Sequence, residues 1–238
     1  MPIFLNMLKT SILSGIVIGI ALSLVHVETV YPLIFEAELY EEEAAKSHPH
    51  FLEQALTNSS DTNEETEWFP EEGLERTLFS TLSNIFHTIA YALLFNIAFI
   101  LKPIRHWRDS ALWGLSGAMI FYVIPTLVYD PVLPGTIEAD HFSRQLWWLA
   151  TIECSAFGLA IFVFMKQFFL KFVGVFLIVA AVLIGSPPGE FIAFSPSELV
   201  NTFIAYNLVI NIIYWMLLGI TVGYLINRTP FNLAKSNV

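Results

Sequence analysis

The sequence holds one cysteine, Cys154, in 238 residues. A single thiol cannot form an internal disulfide, and it excludes metal clusters that need several thiolates. Charged residues make up only 13% of the chain, where a soluble domain carries about 25%. A separate soluble catalytic domain is therefore not expected.

Basic charge is scarcer than acidic charge, because 11 Lys and Arg stand against 21 Asp and Glu and give a formal net charge of -10. This balance argues against nucleic acid as a partner and is compatible with a cationic one. The sequence also lacks a nucleotide-binding glycine loop, a nucleophile with a base partner and an HExxH-type zinc signature. We therefore expect neither an enzyme nor an ATP-driven machine, and no resident cofactor.

Apolar residues are abundant, at 55% of the chain, and the mean hydropathy is +0.64. Stretches of about 20 apolar residues suit a helix that crosses roughly 30 Å of hydrocarbon, and backbone groups in a bilayer need internal hydrogen bonds. The prediction is an all-α, polytopic transmembrane helix bundle in one membrane domain, 1–238. Its six predicted spans are 8–27, 78–101, 111–128, 146–165, 168–185 and 199–226.

The basic residues predict the orientation, because Lys and Arg are retained on the cytoplasmic side. With six spans, both termini lie on one side of the membrane. Eight basic residues fall on that side, and only Lys46, Arg76 and Arg144 fall on the other. The sequence therefore predicts that both termini are cytoplasmic.

The predicted outer loop, 29–75, carries thirteen acidic residues, and Glu28 directly precedes it. Its first part alternates apolar and acidic residues at helical spacing, which predicts a short amphipathic helix near the outer interface; the middle has the composition of a flexible linker. His48 and His50 follow three glutamates. Either they collect divalent cations weakly, or they belong to a solvated loop.

Polar side chains at membrane depth are the strongest functional candidates, because burying them is costly. His87 lies in the second span together with Asn84 and Tyr91, and Glu153 lies in the fourth. A further polar column combines His26 and Glu28 with a stripe in the sixth span. The stripe consists of Asn207, Asn211 and Tyr214.

Imidazole, carboxylate and amide oxygen suit a divalent transition metal. The predicted metal ligands are His87, Glu153, His26, Glu28, His48 and His50. The other polar residues are predicted to line the ion route. The alternative is purely structural. Asn207 and Asn211 then act as interhelical hydrogen-bond donors and acceptors, and His87 bonds to Glu153 or Asn84.

Two GxxxG pairs allow close helix approach. One is Gly15 with Gly19 in the first span, and the other is Gly219 with Gly223 in the sixth. Two interpretations stay open: the two pairs pack against each other, or they only reflect how common glycine is in membrane helices.

Several blocks resemble the CbtA family, a proposed cobalt transporter subunit. They are Pro32 to Ile34, Glu72 to Thr77, Leu112 to Gly117, Leu133 to Gly135 and Arg144 to Trp148. The resemblance implies a multi-pass inner-membrane protein that works with a small single-span, histidine-rich partner, CbtB.

The function expected is a subunit of a divalent transition-metal uptake transporter, with cobalt as the ion implied by the resemblance. The expected partners are the lipid bilayer, the CbtB-like subunit and further copies of the chain. Two other interpretations stay open. One is a non-transporting membrane scaffold or assembly subunit, and the other is a transporter for an organic cobalt-containing ligand.

Overall fold

The computed structural model describes residues 2–47, 70–71, 73–136, 140–183, 185 and 193–228. Throughout these residues the regular structure is helical, which confirms the predicted all-α class. The helices are α1 (Pro2–Ser47), α2 (Leu74–Leu101), α3 (Trp107–Ala118), a π-helical turn (Met119–Val123), α4 (Ile124–Thr126), α5 (His141–Phe164), α6 (Phe168–Leu183) and α7 (Ser197–Asn227).

Within the part of the chain that the structure describes, four helices are long and apolar enough to cross a membrane. These are α1, α2, α5 and α7, and they contain the first, second, fourth and sixth predicted spans. The third predicted span is helical from 107 to 126, but the π-helical turn Met119–Val123 interrupts it. The fifth corresponds to α6, an apolar helix of 16 residues. By length and hydropathy, four of the described helices can cross a membrane. The other two crossings stay a prediction.

Helix α1 runs for 46 residues and contains Pro32. At 1.5 Å per residue it is about 69 Å long, more than twice the hydrocarbon thickness. The residues expected to form a separate amphipathic helix are thus the continuation of α1, which extends to Ser47. The linker and the two histidines after Ser47 lie outside the described residues.

The chain forms two compact units, of which the first combines Met1–Thr29, Trp68–Ala118 and Val209–Val238. Within it, small residues of α1 face α2. A Cβ added at Gly19 would come 2.7 Å from the Ile85 Cα atom, and one added at Gly15 would meet Ile89. The backbones of α1 and α2 therefore approach too closely for any side chain at these two positions.

A second close approach in this unit joins α3 and α7. A Cβ added at Gly219 would come 2.9 Å from the Gly114 Cα atom, and one added at Gly223 would meet Ser110. The two GxxxG pairs thus have different partner helices. The predicted contact between the pairs is wrong, because Gly15 and Gly19 pack on Ile89 and Ile85 of α2, whereas Gly219 and Gly223 pack on Gly114 and Ser110 of α3.

The second unit combines Val30–Glu67 with Met119–Leu208. Helices α5 and α6 cross where Gly158 and Gly174 meet: a Cβ added at Gly158 would lie 2.7 Å from the Gly174 carbonyl oxygen. Gly135, which has a φ of +75°, lies against Glu41, so that an added Cβ would be 2.9 Å from the Glu41 Cβ. The loop after α4 is therefore packed on the second half of α1.

Candidate functional site

A chain of hydrogen bonds crosses the first unit from α1 through α2 to α7. The Asn84 amide donates to the Ser23 hydroxyl at 3.0 Å, and the Thr88 hydroxyl donates to the Asn84 carbonyl oxygen at 2.6 Å. Thr88 also lies 3.0 Å from the Tyr214 hydroxyl. Asn84 and Tyr214, predicted to line an ion route, thus take part in hydrogen bonding between helices, as polar residues in membrane bundles commonly do.

A second polar cluster centres on Asn96, whose side chain is fully buried. Its amide donates to the Ser11 hydroxyl at 2.9 Å, and its side-chain oxygen accepts from Thr10 at 3.1 Å. The sequence analysis missed this cluster. Its signal is the recurrence of small and hydroxyl residues along α1, in which Thr10, Ser11, Ser14 and Ser23 are all buried.

His87 lies on the exposed side of α2. Its Nδ1 atom is 2.9 Å from the Ser83 carbonyl oxygen and 3.3 Å from the Ser83 hydroxyl. Both contacts are within one helical turn. His87 therefore keeps its second ring nitrogen, Nε2, available to another partner.

Glu153 lies on the exposed side of α5, and it forms no hydrogen bond or ion pair with the described residues. The opposite side of α5 faces α6 and is buried at Thr151, Ser155 and Gly158. The carboxylate thus points away from the helix that packs most closely on α5.

The other predicted residues occupy varied positions. The Tyr91 ring lies 4.5 Å from the Trp215 ring, centroid to centroid. The Asn207 amide donates to the Phe203 carbonyl oxygen at 2.8 Å. Asn211 and His26 are half-buried, and Glu28 is exposed. His48 and His50 lie outside the described residues.

No three His, Cys, Asp or Glu side chains within the described ranges lie close enough together to hold a metal ion. Two carboxylates outside the apolar spans have a specific local role. Asp140 precedes α5 and accepts from the Ser143 backbone N–H at 3.0 Å, which lowers the pKa of Asp140. Backbone N–H groups of His106 and Arg105 lower the pKa of Asp109 in the same way.

Long apolar helices joined by buried polar contacts place this chain among the helical membrane proteins. It belongs to the CbtA family, described as a probable cobalt transporter subunit, and the family model matches residues 4–227. The match covers nearly the whole chain and confirms the resemblance seen in the sequence. No curated protein matches the chain, and no solved structure does.

Proposed function

We propose that this chain is a subunit of an uptake transporter for a divalent transition metal, cobalt by family, in the bacterial cytoplasmic membrane. It moves the ion without catalysing a chemical reaction. The proposal includes six membrane crossings, cytoplasmic termini and a small histidine-rich partner similar to CbtB. Family membership supports transport, and the position of Glu153 supports the passage of a cation.

Glu153 is the observation that carries this proposal. It is the thirteenth of 24 residues in α5, so it lies at the middle of an apolar helix. A centred charge costs roughly 2.5 to 3.5 kcal/mol on insertion scales, and a cation offsets this cost by supplying the counter-charge. A carboxylate at this depth therefore favours a route for a positive ion.

His87 supplies a second group of the required chemistry. Neutral imidazole and carboxylate both bind divalent first-row metals, and the order of affinity places Ni²⁺ and Cu²⁺ above Co²⁺. Ligand type alone thus leaves the identity of the ion to the family description. The acidic residues at the end of α1, including Glu42 and Glu43, are exposed and raise the local cation concentration within about 10 Å at 0.1 M salt.

The test is uptake of radiolabelled Co²⁺ by cells with and without the chain, alone and with its small partner. Glu153→Gln keeps the volume and removes the charge, so we expect uptake to be abolished at normal protein abundance. His87→Gln should weaken uptake or change its pH dependence. Glu198→Gln is the matched control, because Glu198 is an exposed acid in the first turn of α7; normal uptake by Glu153→Gln would contradict the proposal.

A membrane scaffold is the second candidate, and the hydrogen bonds of Asn84, Thr88 and Tyr214 favour it. All three side chains bond to residues of the same chain, as structural contacts would require. Under this candidate, Glu153→Gln and His87→Gln lower protein abundance or complex assembly, and uptake per assembled complex stays unchanged.

A further inference from the structure

Two polar side chains share an unusual position in this protein. His87 is the fourteenth of 28 residues in α2, and Glu153 is the thirteenth of 24 in α5. Both side chains are exposed. Each therefore emerges from the middle of a helix that is long and apolar enough to cross a membrane.

Each group lies near the middle of its own helix, whichever way that helix runs. His87 is thirteen residues from the start of α2 and fourteen from its end, which is about 20 Å and 21 Å at 1.5 Å per residue. Glu153 is twelve residues from the start of α5 and eleven from its end, or about 18 Å and 17 Å. Each group thus lies within one helical turn of the middle of its own helix.

The surface around Glu153 is otherwise apolar. Leu146, Leu149 and Phe157 lie within about 40° of Glu153 around the helix, and their side chains are 59%, 50% and 65% exposed. A lone carboxylate in such a stripe is expensive against lipid. This face of α5 is consequently suited to a partner that brings a hydrogen-bond donor or a cation to the depth of Glu153.

His87 has the complementary chemistry. Its Nδ1 atom is engaged with Ser83 on its own helix, and its other nitrogen, Nε2, can donate to a carboxylate. Around it, Ala90 and Leu94 are exposed on the same side of α2, whereas the buried residues Ala92 and Asn96 lie toward the opposite side. The exposed face of α2 is therefore also a largely apolar stripe, with His87 and its partner Ser83 as the polar pair near its centre.

We infer that a second copy of this chain covers these faces, with His87 of one copy bonded to Glu153 of the other. When both helices span the membrane, the middle of α2 in one copy and the middle of α5 in the other both lie within the bilayer. A two-fold interface is self-complementary, and each copy then gives one imidazole and receives one carboxylate. The described Lys and Arg residues lie near helix ends or in loops, which leaves His26 and His87 as the imidazoles near the middle of a long apolar helix. His87 is the exposed one of the two.

This pairing stands on the positions and charges of the two side chains. Only its consequence for transport rests on the proposed function: if the ion passes Glu153, the route runs along the interface between two copies, and each route takes one ligand from each chain. The tests below therefore measure the interface and the uptake separately.

Disulfide cross-linking tests the interface while the pair stays intact. In a Cys154→Ala background, Phe157→Cys is placed in one epitope-tagged copy, and Ala90→Cys or Ser83→Cys in a copy with a different tag. Ala90 and Ser83 lie one turn to either side of His87, so one of the two combinations should give a covalent dimer that carries both tags. The combination that succeeds also reports the relative direction of α2 and α5.

The control combines Thr88→Cys with Ser155→Cys, because both side chains are buried within their own units; it should give no dimer. Failure of both test combinations, with cysteines that still react with a maleimide, would overturn the interface. A disulfide within one chain carrying both test cysteines, or a cross-link from Phe157→Cys to a different polypeptide, would overturn it as well.

Dimer association in lipid vesicles tests the pair itself. Interhelical hydrogen bonds in membranes average about 0.6 kcal/mol with a maximum near 1.7, so each lost pair should weaken the dimer about 3-fold to 20-fold. Glu153→Leu and His87→Leu each remove both pairs of the two-fold dimer, so each should weaken it about 7-fold to 300-fold. The exchange variant, His87→Glu with Glu153→His, should restore association. Unchanged association in both single variants would contradict the proposed pairing.

Uptake measured on the same variants separates the two proposals. A cross-linked dimer with unchanged Co²⁺ uptake in Glu153→Gln contradicts the transport role and leaves the interface standing. Uptake that depends on Glu153 without any cross-linked dimer contradicts the interface and leaves the transport role standing.

Discussion

At the residue scale, the buried side chain of Asn96 explains how two membrane helices are held in register. Its amide and carbonyl groups bond to Ser11 and Thr10 of α1, and the amide also donates to the Ala92 carbonyl oxygen at 3.0 Å. A fully buried amide with three partners is costly to remove, because the hydroxyl groups that it satisfies then remain in an apolar interface.

We predict that Asn96→Ala lowers the free energy of unfolding by about 1 to 3 kcal/mol. The measurement is reversible unfolding of the purified protein in mixed detergent micelles. Asn201→Ala, in the exposed part of α7, is the control and should change little. Equal stability of Asn96→Ala and the parent protein would show that the cluster is not stabilising.

Asp140 gives a pH-dependent prediction at the start of α5. Its pKa is below the ordinary value because the ionised carboxylate accepts from the Ser143 N–H. A depressed pKa in the folded state means that the stabilisation is fully present above the unfolded pKa of about 3.9, and that it is lost as the pH falls through the lower folded value.

The first turn of α5 should therefore lose amide-exchange protection below about pH 4, relative to neutral pH. Hydrogen exchange at Ser143 measures this. Asp140→Asn keeps a capping side chain without a titratable charge, so its protection should be the same at both pH values. A parent protein that shows no acid loss would contradict the role of the charge.

At the scale of elements, close backbone approaches decide which helices pair. Gly158 and Gly174 face each other's carbonyl oxygens at the crossing of α5 and α6. In membranes, small residues at such crossings permit the close van der Waals packing that drives association, since lipid provides no hydrophobic force between helices.

Gly158→Ala should destabilise this crossing by about 1 to 3 kcal/mol, the usual cost of overpacking. The added Cβ would lie 2.8 Å from Ile178 Cγ1 as well as close to Gly174. Thermal unfolding in detergent is the measurement, and Val163→Ile, which adds one methylene at a position that is 45% exposed, is the control. A stability gain for Gly158→Ala, from its better helix propensity alone, would contradict the tight crossing.

At the scale of the whole molecule, the distribution of charge predicts the orientation in the membrane. Ser47 ends α1 beside the acidic residues, and Arg105 lies in the basic connection between α2 and α3; both are exposed. In a Cys154→Ala background, Ser47→Cys should react with an impermeant thiol reagent added to spheroplasts, and Arg105→Cys should react only after permeabilisation. The reverse pattern would invert the orientation.

The sequence by itself determined the helical class and the family. Long apolar stretches leave helices as the spanning structure in lipid, so the four longest were predictable from hydropathy, and the specific blocks from Pro32 to Trp148 indicated CbtA. Helix continuity past Pro32 was not predictable in the same way, because a change from apolar to acidic composition indicates an interface and does not indicate where a helix ends.

Only the tertiary structure decided which side of each helix is buried. Asn84, Thr88 and His87 share one stripe of α2, yet Asn84 and Thr88 bond to other helices and His87 is exposed. Residues three or four apart differ by about 60° or 40° around a helix, so the boundary between the buried and the exposed side of α2 can fall between them. The position of this boundary depends on the small residues of α1 and α3. The periodicity within one helix carries no information about the neighbouring helices.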